Sequence, residues 1–208
     1  MIYPLSNDES TGQIRCRFAQ RLQMARTPTT QIELGFCAPS FSLPDVVSGE
    51  RVSFEDIKGN KGTLVMFICN HCPFVVHVRE QLVKLARDYM PKGVGIVAIS
   101  SNDVENYPDD SPEKMKDLAE AMNFPFSYLY DESQEVAKAY DAACTPDFSV
   151  FDADGKCVYR GQLDGARPGN DEPNDGRSLR EVFDLLIAGN SVPRDGQMPS
   201  MGCNIKWK

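Results

Sequence analysis

The chain is expected to form an α/β fold, a mixed β-sheet with helices on both faces, and three observations lead there. Residues 63–68 and 94–100 are near-continuous apolar runs, the pattern of strands buried on both faces. Between them Val75, Val78, Leu82, Leu85 and Tyr89 recur at three and four residues, which puts them on one helical face. Strand, helix and strand within this span read as a right-handed βαβ unit. Further on, 148–151 and 158–161 flank Asp152-Ala153-Asp154-Gly155, a hairpin signal. A βαβ unit followed by an antiparallel hairpin and a last helix describes a mixed sheet covered on both sides.

The elements follow in order. Residues 1–30 are polar, lack clear periodicity and read as an N-terminal extension outside the core; 31–190 form the domain and 191–208 a C-terminal tail. Residues 35–39 turn into a short strand near 41–43, and 51–57 alternate briefly through Val52, Phe54 and Ile57 before the turn at 58–62. Met90-Pro91-Lys92-Gly93 stops the first long helix. Ser111 can cap a second helix with Pro112 in its first turn and Met115, Leu118, Ala119 and Met122 on its apolar face. A short strand near 128–130 and a small helix over 133–140 precede the hairpin. Residues 164–176 are a Gly/Pro/Asp/Asn-rich loop. Leu179, Val182, Phe183 and Leu186 mark the last helix, ended by Gly189. No internal repeat is visible.

Composition narrows the function. A chain of 208 residues is enough for one substantial core. The formal charge of −8 argues against nucleic acid and anionic membranes as partners. No apolar stretch approaches the length of a membrane span. The first thirty residues carry Arg15, Arg17, Arg21 and Arg26 but no uninterrupted apolar segment, so no secretory signal is read and a cytoplasmic location is expected. Seven cysteines at irregular positions do not resemble a secreted disulfide framework; they point to free, catalytic or metal-bound thiols.

The chemistry concentrates at Cys69-Asn70-His71-Cys72-Pro73, between the 63–68 strand and the helix. A helix N-terminus gathers unpaired N–H groups and positive dipole, favouring a thiolate over a thiol. That can lower a cysteine pKa from ~8.5 to ~7 or below. Proline is well tolerated at the first helical position, which makes Cys72 the N-cap and the expected nucleophile. Were Cys69 the cap, Pro73 would lie further in, where an N–H is needed. Cys69 is then a partner or a bystander. The alternative, two small buried hydrophobes, weighs less for a pair at this junction.

His71 beside Cys72 can stabilise the thiolate or shuttle protons. Cys69, Cys72, His71 and His77 lack the second short-spaced pair of a structural zinc site, so neither metal nor cofactor is expected. His77 reads as an ordinary exposed side chain. Cys203 lies in a tail whose Ile205 and Trp207 can dock and bring a resolving thiol to Cys72, although a surface thiol without a role is the favoured reading. Cys16, Cys37 and Cys157 read as structural. The acids of 109–113 and 171–175 read as solvated loops.

Over residues 35–188 the chain resembles the alkyl hydroperoxide reductase/thiol-specific antioxidant branch of the thioredoxin superfamily, and more closely its peroxiredoxin-like group bearing a CNHCP motif. The residues that carry the resemblance are Gly35-x-x-Ala38-Pro39-x-Phe41, Thr63-Leu64-Val65-Met66-Phe67 with Cys72, Thr145-Pro146, Phe151-Asp152-x-Asp154-Gly155, and the tail from Gly202 to Lys208. It implies a thioredoxin-like fold with an N-terminal β extension. It also implies a cis bond before Pro146, in a loop that faces the nucleophile and pairs with a bound partner; Cys144 would then lie near Cys72 and form or receive a disulfide. Cys72 matches the first cysteine of the thioredoxin pair and Val75 the second, so a 72–75 disulfide is impossible. The peroxiredoxin proline and threonine fall at Val65 and Cys69, and the thioredoxin buried acid at Met66. The activity implied by the resemblance is that of a thiol–disulfide oxidoreductase with Cys72 as nucleophile, Cys69 or Cys144 as resolving thiol, and Thr145, Pro146 and His71 in the site. Its partners would be thiol or disulfide proteins or small molecules. A cysteine-dependent peroxidase and a non-catalytic binding module are the alternatives, and the oligomeric state is left open.

Overall fold

The computed structural model describes residues 26–208. Cys16 and the arginines at 15, 17 and 21 lie outside them. The strands are β1 (Arg26–Pro28), β2 (Ser42–Pro44), β3 (Arg51–Ser53), β4 (Gly62–Phe67), β5 (Val94–Ser100), β6 (Ser127–Tyr130), β7 (Cys144–Thr145), β8 (Asp147–Phe151), β9 (Cys157–Gly161) and β10 (Met201–Asn204). The helices are α1 (Phe54–Ile57), α2 (Pro73–Tyr89), α3 (Pro112–Met122), α4 (Glu135–Ala139) and α5 (Arg177–Ile187).

The main sheet runs β6-β5-β4-β8-β9, with β4 parallel to β5, β5 parallel to β6, β8 antiparallel to β4 and β9 antiparallel to β8. Every residue of β4 is buried, as its unbroken apolar run requires of a central strand. Leu64 and Met66 point into a core shared with Val75, Val78, Leu82 and Leu85 of α2 and with Leu179, Val182 and Phe183 of α5. Val65 and Phe67 point the other way, onto Phe41, Phe54, Val97, Tyr140 and Phe151. Period-two alternation along β4 thus builds both cores from one strand. The layout is a mixed, thioredoxin-like sheet with helices on both faces.

Some elements differ from the sequence reading. The 51–57 segment is strand only to Ser53. There a capping box forms: Asp56 Oδ2 accepts from the Ser53 N–H at 2.8 Å, while Ser53 caps the Asp56 amide and starts α1. The small helix is shorter than 133–140, covering Glu135–Ala139. Ser111 caps α3 and Pro112 opens it, as its spacing predicts.

A second, three-stranded sheet has the order β1-β10-β7 and is antiparallel throughout. It carries the C-terminal segment back across the ends of β4 and β5. Among the described residues no helix is long and apolar enough to cross a membrane.

Candidate active site

Cys72 is the N-cap of α2, in extended conformation (φ −67°, ψ 122°), and Pro73 is the first helical residue. The sulfur does not sit in an open mouth. Cys72 is 0% exposed. Its Sγ lies 2.9 Å from Cys203 Sγ and 3.1 Å from the Thr145 carbonyl oxygen. The Thr145–Pro146 peptide is cis.

Two opposing sets of contacts decide the charge on Cys72. Burial favours the thiol, and so does the Thr145 carbonyl, which can only accept a hydrogen bond. Donors favour the thiolate: first the Cys203 S–H, then the Cys69 S–H, the Thr145 side chain and the Val75 amide. Cys72 makes no close side-chain capping hydrogen bond at the helix start. The donors win, and Cys72 is held well below the ordinary cysteine range. Cys203 and Cys69 are pushed up in return, first because each gives its proton to the bond with Cys72 and then because each is buried. Helix end and neighbouring thiols act together here, the thiols more strongly.

The strand register explains which thiols meet. Cys203 pairs with Thr145 and Asn204 with Cys144. Directly paired residues share a face, so Cys203 and Thr145 both point at the 69–72 loop. Cys203 reaches Cys72, and Thr145 Oγ1 lies 3.4 Å from Cys69 Sγ. Cys144 turns away, its sulfur 3.5 Å from the Pro146 carbonyl oxygen and 4.0 Å from Asp147 Oδ2, and burial followed by the Asp147 charge pushes its thiol up. Cys203, read from sequence as a surface thiol, is 1% exposed. The tail docks because Ile205 buries its side chain and its N–H bonds to the Ala143 carbonyl. At Gly202 any Cβ would stand 2.0 Å from the Thr145 carbonyl oxygen, so glycine is what lets β10 approach. A glycine before the tail cysteine is the signal that sequence reasoning had to hand.

The acids of 109–113 are not all solvated. Asp110 is 0% exposed and organises the loop before Cys72. Its carboxylate accepts from the amides of Asn70 (2.8 Å) and His71 (3.3 Å), from His71 Nδ1 (2.6 Å) and from Asn102 Nδ2 (2.8 Å). The Asp110 hydrogen bond raises the His71 pKa against the opposing effect of burial. The His71 ring stacks on Tyr107, centroids 5.5 Å apart. Asn102 Oδ1 in turn accepts from the Lys206 N–H at 2.8 Å, tying the tail to the same carboxylate.

His77 is half-buried on α2, not the exposed side chain read from sequence. Cys37 is exposed and Cys157 is buried, its thiol pushed up to about 12 by burial. Cys69, Cys72, His71 and His77 are not gathered as one ligand set. Among the described residues the converging group is Cys69, His71 and Asp110, with ligand-type atoms within 4.8 Å of one another. It does not suit a cation, because the Asp110 oxygens are already filled by four protein donors. Met66, at the position of the thioredoxin acid, is wholly buried in the apolar core.

A family model described as Redoxin matches residues 34–177. The crystal structure of an uncharacterized conserved protein from Geobacillus kaustophilus is 59% identical, covering 90% of this chain and 98% of its own, with a TM-score of 0.88. A hypothetical protein from Sinorhizobium meliloti is 45% identical over 88% of this chain and 98% of its own, with a TM-score of 0.85. The thioredoxin domain of a thiol-disulfide oxidoreductase from Bacteroides vulgatus shares the fold at 21% identity, 74% and 99% coverage and a TM-score of 0.57. No curated protein matches the chain.

Proposed function

Because the chain belongs to the Redoxin family, we propose that it is a thiol–disulfide oxidoreductase in which Cys72 attacks and Cys203 resolves. The observation that carries this reading is the 2.9 Å separation of the two sulfurs. The Cys72 thiolate attacks one sulfur of a partner disulfide; a Cys72–partner bond forms, the partner's S–S bond breaks and its second sulfur leaves as a thiolate that takes a proton. Cys203 then gives up its proton and attacks Cys72, forming the 72–203 disulfide and releasing the first partner sulfur. The partner is reduced by two electrons and the protein dithiol oxidised. An external thiol reductant reverses the change in the protein.

Both sulfurs are sealed, so a protein-sized disulfide reaches Cys72 only after β10 parts from β7. Cys69 serves as a hydrogen-bond donor to the nucleophile in this scheme. Cys144 faces away from it.

Disulfide mapping after oxidation with stoichiometric oxidised glutathione tests the proposal. The expected product is a 72–203 link, with Cys203→Ser accumulating the glutathione adduct on Cys72 and Cys72→Ser forming none. A 69–72 link, or oxidation unaffected by Cys72→Ser, overturns it.

The burial of Cys72 supports a second reading, a cysteine-dependent peroxidase, because a small peroxide needs less opening than a protein does. The Cys72 thiolate would attack one peroxide oxygen, the O–O bond would break, and the other oxygen would leave as water or an alcohol after taking a proton. Cys203 would then condense with the Cys72 sulfenic acid to form the 72–203 disulfide and water. Rapid, selective sulfenate at Cys72 in Cys203→Ser favours it; slow, unselective oxidation rejects it.

A further inference from the structure

The two thiols of the proposed reaction sit on segments that one buried side chain joins. Cys72 directly follows Asn70 and His71, whose amides both donate to Asp110 Oδ1, at 2.8 and 3.3 Å. Cys203 lies three residues before Lys206. Between these segments stands Asn102, buried two residues past the end of β5. Its Nδ2 donates to Asp110 Oδ2 and its Oδ1 accepts the Lys206 N–H, both at 2.8 Å. The Lys206 carbonyl is held too, accepting from the Asp103 N–H and from Gln134 Nε2, each at 2.8 Å. Gln134 precedes α4 with a left-handed φ of 65° and makes no side-chain cap on that helix. Its amide is committed to the tail instead, and Gln134 Oε1 accepts the Lys208 N–H at 2.9 Å.

We propose that Asn102 is a positioning residue for the thiol–disulfide reaction: by bridging Asp110 to Lys206 it ties the Cys72 loop to the Cys203 strand and sets how readily the 72–203 disulfide closes. This inference deepens the oxidoreductase reading and rests on it. Closure of an intramolecular disulfide is favoured by the effective concentration that one thiol presents to the other, and that concentration falls as either segment gains freedom. Three residues of extended chain reach about 10 Å at most, so an anchor at Lys206 restricts where the Cys203 sulfur can go. Upstream, β10 is held by its pairing with β1 and β7.

A primary amide suits the bridge because it donates to a carboxylate through one atom and accepts a backbone N–H through the other. A carboxylate or an aliphatic side chain of that size cannot do both. Bond formation between Cys72 and Cys203 completes a ring that already runs by hydrogen bonds from His71 through Asp110 and Asn102 to Lys206. Bridge and disulfide are therefore linked reciprocally, each stabilising the other by the same amount.

The test equilibrates the full chain with mixtures of reduced and oxidised glutathione. After an acid quench, mass spectrometry reads the dithiol, the 72–203 disulfide and the Cys72–glutathione adduct. Each disulfide formed converts one oxidised glutathione into two reduced ones. Asn102→Ala is expected to lower the equilibrium constant about tenfold, a shift of about 30 mV to less negative potential, and to raise the share of adduct. Asn102→Asp keeps the acceptor for Lys206 but sets a carboxylate against Asp110, and is expected to do the same. Ser53→Ala removes the cap of α1, whose Phe54 belongs to the other core; it should lower the melting temperature and leave the constant in place. A constant unchanged in either Asn102 variant, or lowered equally by Ser53→Ala, overturns the inference. Should neither Asn102 variant fold, hydrogen exchange of the unmodified protein decides. Oxidation to the 72–203 form should slow the Lys206 amide several-fold, and equal rates in the two forms reject the linkage. Absence of any 72–203 link in the unmodified protein removes the oxidoreductase reading and this inference with it. A link that closes equally well without the Asn102 amide removes the inference alone.

Discussion

The sulfurs of Cys72 and Cys203 lie 2.9 Å apart, although 131 residues separate them along the chain. One belongs to the cap of the first long helix and the other to the last strand. Their meeting is set by the register of β10 on β7, where Cys203 stands opposite Thr145. The same contact hides the Cys72 sulfur and places a second thiol beside it.

Loss of Cys203 should therefore change the acidity of Cys72 before any turnover is considered. The Cys203 S–H is the foremost donor to the Cys72 sulfur. In Cys203→Ala the pH midpoint of Cys72 alkylation should rise by about one unit or more, equal to a roughly tenfold loss of reactivity or greater at low pH. The same experiment on Cys144→Ala should leave the midpoint in place. An unchanged midpoint in Cys203→Ala would show that Cys69, Thr145 and the helix end hold the thiolate without Cys203.

Seating of β10 depends on Gly202, where a Cβ would meet the Thr145 carbonyl oxygen at 2.0 Å. Gly202→Val should push the strand from β7 and cost about 1–3 kcal/mol, the usual penalty of overpacking. Cys72 should become accessible, with alkylation accelerated several-fold while the melting temperature drops. Faster alkylation without thermal destabilisation, or the reverse, would separate the strand from the shielding of the thiol.

Asp147 follows Pro146, and its pKa is raised to about 6, first by burial, against the pull of Arg160. A carboxyl whose folded pKa exceeds its unfolded value binds its proton more tightly in the native state. Its contribution is complete below about pH 4 and fades as pH rises through about 6. The distance between those two values is equivalent to about 3 kcal/mol at most. Denaturant unfolding of the unmodified protein, compared with Asp147→Asn, should show the stability difference moving against the unmodified protein between about pH 4 and 6.5. Parallel curves would contradict the raised pKa of this buried carboxyl.

Much of the fold is legible in the sequence because its signals are local. The apolar run of β4, the three-and-four spacing on α2, the Ser111-Pro112 start of α3 and the Asp152–Gly155 turn each report on their own segment. The 51–57 segment misleads because a capping box of Ser53 and Asp56 overrides a weak alternation. Within the site, Pro73 marks Cys72 as the cap. Asp110 escapes a reading by pattern, since an acid in an acidic run looks solvated until the donors of Asn70, His71 and Asn102 close around it. Cys203 passes for a surface thiol because a four-residue strand has too little pattern to declare its pairing.

Sequence alone determined the strand–thiol–helix junction and hence which sulfur caps the helix, because helix capping is a property of neighbouring residues. Only the tertiary structure decided which thiol faces it, that the site is closed, and which carboxylate holds His71. Those are facts of register and burial, set by segments far apart in the chain, and no short-range periodicity encodes them.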